Sequence, residues 1–248
     1  MWKKAMWVVT AGMWILALGQ LFFVDKIDSM RARQEVFHTI GEEPGSYEVQ
    51  MMGAYEDGFL TREEEKVCLA QWGEELDLSL EKITFSDVED GHVTYSNIEG
   101  DGVAGYCKII TKEEQISSQA YHCTQYVSYY LTSAGEFADM QQLRNRLHEF
   151  AKENQIDSVP VFVAEYESLN RMTQKEQTSL VDSLAESLNG TIVSIGADET
   201  NYFAYGYSKD LSYSQNIDGK DMNFLIYMKP SDSGKTVIHL QFPTVSLT

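Results

Sequence analysis

Two stretches of this chain share one pattern of apolar and polar positions. Thr61–Asp77 reads TREEEKVCLAQWGEELD and Thr173–Asn189 reads TQKEQTSLVDSLAESLN, 112 positions apart (173 − 61). Cys68, Leu69, Trp72 and Leu76 align with Leu180, Val181, Leu184 and Leu188. That i, i+1, i+4, i+8 spacing predicts a helix burying one face. Each copy opens with Thr and carries Glu three residues later (Glu64, Glu176), the signature of a capping box. Asn189-Gly190 ends the second copy as a helix stop, a better reading than the glycosylation sequon it also spells.

The pattern around these helices repeats as well. A helical stripe over Asp25–Ile40 (Ile27, Met30, Phe37, Ile40) has a counterpart over Glu136–Asn154 (Phe137, Met140, Leu143, Leu147, Phe150). A strand follows each, at Tyr47–Met51 and Val159–Ala164. After the second helix of each half come three strands: Ile83–Ile98, Val103–Thr111 and Ala120–Thr132, then Thr191–Ser208, Asp221–Lys229 and Thr236–Phe242. Asp90-Gly91, Gly100–Gly102, Lys112–Gln119, Asp218-Gly219 and Asp232–Gly234 mark turns. The predicted class is α+β: a duplicated helix–strand–helix–three-strand unit, largely antiparallel, with helices on one face. The units span 25–134 and 135–248, behind a segment of residues 1–24.

Alternation along the strands defines a second face. In Tyr121–Leu131, the residues Tyr121, Cys123, Val127, Tyr129 and Leu131 point one way, and His122, Thr124, Tyr126, Ser128 and Tyr130 the other. The set Tyr106, His122, Tyr126, Tyr130 and His239 is the candidate partner-binding constellation, since Tyr supplies rigid contact area with a polar tip. The competing reading buries the same residues between the two half-sheets. Centring the hairpin turn near Gln115 sets Cys107 opposite Cys123, within reach of a disulfide, with two buried free thiols as the alternative. Cys68 falls on the buried helix stripe.

Charge narrows the function. The chain carries 19 basic and 38 acidic residues. Lys3 and Lys4 are the only charged residues before Asp25, so the remainder holds 19 − 2 cations against 38 acids, a net −21. Such a surface repels phosphate backbones and anionic lipid, which disfavours nucleic-acid binding. Residues 5–24 are uncharged and long enough to span a bilayer as a helix, with lysines in front and acids behind. Ala17-Leu18-Gly19 also offers a signal-peptidase site, so a signal anchor and a cleaved signal both stand. Either places the folded part outside the cytoplasm, membrane-anchored or secreted.

Chemistry-bearing motifs are missing. The chain has no HExxH, GxSxG, GxGxxG, P-loop or CxxC. Cys123 adjoins His122, but neighbours on a strand point to opposite faces, so they do not make a nucleophile–base pair. The acidic clusters Glu63–Glu65, Asp87–Asp90 and Glu99–Asp101 lack the calcium-loop spacing and read as solvated surface. No catalytic residue, cofactor or metal is expected.

The closing stretch Lys220–Met228, then Gly234–Pro243, with Tyr205-Gly-Tyr-Ser before it, resembles the YwmB-like family of exported Gram-positive proteins. The ending Thr-Val-Ser-Leu-Thr departs from the family pattern. The resemblance implies a fold like that of the TATA-box-binding protein, without its DNA binding, and brings no established activity. It fits a non-enzymatic binding or scaffolding protein of the cell envelope, its partner a protein, peptide or wall component. The alternative is an envelope enzyme with a site formed between the two halves.

Overall fold

The computed structural model describes residue 40 and residues 44–117, 120–198, 201–211 and 213–243. Residues 1–24, read from the sequence as a signal peptide or signal anchor, and the helix expected over 25–40 apart from Ile40, lie outside the described residues. Ile40 is helical and packs against the core.

Ten strands hydrogen-bond side by side in one sheet. From its centre outward on one side run β1 (Ser46–Tyr55), β5 (Ala120–Ser133), β4 (Val103–Ser117), β3 (Gly91–Gly100) and β2 (Thr84–Val88). On the other side run β7 (Val161–Glu167), β13 (Thr236–Phe242), β12 (Phe224–Pro230), β9 (Tyr202–Ser208) and β8 (Gly190–Ala197). Every ladder in it is antiparallel, including the central one, where Glu48 faces Val163 and Gln50 faces Val161. A two-residue strand, β6 (Ile156–Asp157), lies beside the end of β1. The short strands β10 (Gln215–Ile217) and β11 (Lys220–Met222) pair apart from the sheet.

Three helices fully within the described residues cover one face. They are α1 (Arg62–Glu75), α2 (Phe137–Glu153) and α3 (Gln174–Ser187). Leu69, Trp72 and Leu76 from α1, Met140, Leu143, Leu147 and Phe150 from α2, and Val181, Leu184 and Leu188 from α3 enter one core with the inward residues of the strands. Both capping boxes form: Thr61 and Thr173 accept from the amides of Glu64 and Glu176, whose carboxylates accept from the Thr amides at 2.8 and 2.7 Å. Asp77 and Asn189 follow the two caps with φ of 55° and 49°. Both are types that tolerate this left-handed turn.

The structure corrects four expectations. The two halves join edge to edge through β1 and β7, so they do not bury their polar faces against each other. Four strands of the large sheet follow each of α1 and α3 instead of three, because Ile83–Ile98 holds a hairpin folded at Asp90-Gly91, and Thr191–Ser208 divides likewise into β8 and β9. Lys112–Ser117, read as a turn, continues β4 beyond the core. The ladder therefore sets Cys107 against Tyr129 and Cys123 against Glu113, six rungs apart, and all three cysteines are free thiols. Cys68 is only half-buried, at the rim of the α1 stripe.

Candidate functional site

The face opposite the helices carries the sequence-predicted residues, but it does not gather them into one place. Tyr106 and Tyr130 stand on the same rung of β4 and β5, with rings stacked at 5.5 Å and 21°. The Tyr130 hydroxyl donates to Glu48 on β1 at 2.9 Å. Burial, then this bond to a carboxylate, pushes the Tyr130 phenol up to about 12, so it stays protonated and a donor. The Lys108 ammonium lies 4.7 Å from the Tyr106 ring centre. Tyr126, four residues along β5, faces Lys112 at 5.9 Å instead. His122 is exposed on the overhanging part of the hairpin, opposite Glu114. His239 lies across the central seam on β13, 5.6 Å from the Tyr227 ring and 3.6 Å from Glu165. Burial holds its imidazole below the ordinary range despite that carboxylate.

Beside the stacked tyrosines lies a groove of about 920 Å³. Its floor includes Gln50, Met52, Lys108 and Ser128, and its wall is formed by Ile156–Val159 and Val161 with Tyr213, Pro243 and Lys152 of α2. Gly53 permits that wall: a side chain there would run into Asp157 and Ser158, which lie against β1. Arg144 of α2 pins the same segment from behind, its Nε donating to the Pro160 carbonyl at 3.0 Å. The guanidinium is buried, with Nη2 unpartnered, and burial lowers its pKa. The Tyr213 hydroxyl closes the corner on His148 Nε2 at 2.6 Å.

Sequence reasoning missed Glu48, Glu165 and Tyr227, although each shares the strand parity of the tyrosines. It also misplaced Glu65. Far from solvated, Glu65 has no exposed surface. Its carboxylate accepts from Thr111 Oγ1 at 2.6 Å, from Gln125 Nε2 at 2.8 Å and from Thr94 Oγ1, and lies 3.0 Å from His92 Nε2. His92, Thr94, Thr111 and Gln125 all sit on the helix-facing side of β3, β4 and β5, and those polar residues at core positions were the signal available.

The tyrosines, amides and paired charges of the open face offer contact area and hydrogen bonds. Among the described residues, no three His, Cys, Asp or Glu side chains are placed to hold a metal ion, and no helix is long and apolar enough to cross a membrane. No family profile matches the chain, and no curated protein matches it.

Proposed function

We propose that this chain is an exported, envelope-facing binding or scaffolding protein that engages its partner on the open sheet face and catalyses no reaction. The observation that carries this is the groove beside the Tyr106–Tyr130 stack, on a face that the edge-to-edge joining of the halves leaves outside the helical core. The partner is a protein, peptide or wall component. DNA is not the partner: the open-face cations Lys108, Lys112 and Lys229 stand among Glu48, Glu99, Glu165 and Glu167, within a chain of net charge −19.

The same reading takes the chain as internally duplicated and YwmB-like, with a fold like that of the TATA-box-binding protein. The strand order running outward in the same way from both sides of the β1–β7 seam, and the two capping boxes, support it. Residues 1–24 then anchor or export the folded part.

Photocross-linking in intact cells, with a reactive residue replacing Gln50 on the groove floor of the full chain, tests the proposal. A discrete adduct that disappears with Tyr106→Ala and Tyr130→Ala, while the urea midpoint holds, is the expected outcome. Loss of folding in both variants, or an adduct indifferent to them, would sink it.

A further inference from the structure

The short hairpin β10–β11 pairs apart from the large sheet, and two strands alone are marginal in water, so it needs support from its ends. Its exit is fixed by Asn223, the next residue. That side chain accepts from the Ser208 amide at 2.9 Å and donates to the Ser208 and Leu211 carbonyls at 2.6 and 3.1 Å. At its entry, Tyr213, two residues before β10, crosses to α2. The Tyr213 hydroxyl lies 2.6 Å from His148 Nε2, with the two rings edge-on at 4.9 Å. The Arg144 guanidinium stands 6.0 Å from the same tyrosine ring. Tyr213 has φ of 64°, a left-handed backbone that a bulky residue keeps only where its surroundings hold it.

His148 meets Tyr213 from a poor place for a charge. The ring is buried, and among the described residues its Nδ1 has no hydrogen-bond partner. Nε2 either donates to the Tyr213 hydroxyl or accepts from it. In both cases a second proton leaves a buried Nδ1–H without an acceptor, which is costly. The charges acting on the ring come from α2 itself. They are Lys152 and Arg144, four residues to either side, and Glu149, bonded to Lys152 at 3.2 Å. From the segment packed against it, the titratable group that faces the ring is Tyr213. Burial, then Lys152, then Arg144, hold the imidazole below the ordinary range, and Glu149 offsets them in part.

We propose that the Tyr213–His148 contact is an acid-released latch on the β10–β11 hairpin. Proton uptake by His148 turns the ring out toward water, and Tyr213, Ser214 and Gln215 withdraw from the groove they line. With its value lowered while latched, His148 binds its proton more readily once released. The latch therefore holds at neutral pH and weakens as pH falls below about 6.5, the ordinary imidazole value. It thereby regulates entry to the groove, a consequence that rests on the groove being the partner site.

Amide hydrogen exchange of the full chain from about pH 8 to about pH 5, corrected for intrinsic rates, tests the latch. Opening of the Asn216–Met222 amides should grow as pH falls, by at most about tenfold per pH unit, the slope of one proton. His148→Gln keeps a polar group at the Nε2 position and does not titrate, so its hairpin should stay protected and lose the pH dependence. Tyr213→Phe removes the hydroxyl and should raise opening about fivefold at neutral pH. Protection indifferent to pH in the parent, or the parent's pH dependence retained in His148→Gln, would overturn the latch. If His148→Gln does not fold, the parent profile and Tyr213→Phe decide, and a Phe variant as protected as the parent at neutral pH overturns it too. Exchange needs no partner, so this result stands or falls separately from the cross-link at Gln50.

Discussion

Glu65 is the residue on which most buried polar groups of the first half converge. A carboxylate in a core is tolerated when hydrogen-bonding partners surround it, and Thr94, Thr111, Gln125 and His92 do so. Its place in the first turn of α1 adds the favourable end of the helix dipole. Glu65→Ala would leave those donors facing a hole, and a loss of roughly 3 kcal/mol or more in urea denaturation is expected. Glu65→Gln keeps the volume but points a donor at donors, so an intermediate loss should follow. A change within about 0.5 kcal/mol, the range of surface substitutions, would show that the network contributes little. Glu65 was illegible in the sequence because it stands in a run of three glutamates at the exposed-looking start of a helix. Nothing local distinguishes it from Glu63 and Glu64. Only the polar residues on the inward side of three neighbouring strands require it.

At the scale of elements, the helices were legible and the long hairpin was not. The caps and stripes of α1 and α3 depend on residues within a turn or two of each other, so Thr61 and Thr173 announce themselves. The β4–β5 register depends on where two strands stop, and these run past the core. Beyond Thr111 and Gln125 no buried face enforces alternation, so Lys112–Ser117 looks like a turn while its backbone continues the ladder. That shift separates Cys107 from Cys123. Three reactive thiols are therefore expected on denaturing the unreduced protein, with a count of one overturning the register. In the folded protein Cys107 should be the last to react, since burial raises its thiol to about 12.

Across the whole molecule, the central seam makes two half-sheets into one core. Phe162 of β7 lies 5.7 Å from the ring of Tyr47 on β1 and 5.4 Å from that of Phe137 on α2. Trp72 joins the same core through Phe150 at 5.5 Å. Phe162→Ala should cost roughly 3–5 kcal/mol. The loss should move the Trp72 fluorescence transition and the far-ultraviolet circular dichroism transition together, although Phe162 and Trp72 belong to opposite halves. A Trp72 midpoint left in place would mean that the halves unfold independently. The α+β class and the helix-covered face were readable from periodicity. The seam was not, because Tyr47–Met51 alternates like any strand with one wet side and carries no mark of its neighbour.

A sheet that does not close on itself keeps two outer margins, here β2 and β8. Such margins can recruit strands from other molecules and grow into fibres. Here β2 is five residues long and carries Asp87, tied to Arg62. The β8 ladder slips register between Ile192 and Ser194. Short, charged and kinked margins poorly template a second chain. The sheet thus leaves a face open while its margins guard against assembly with a second copy.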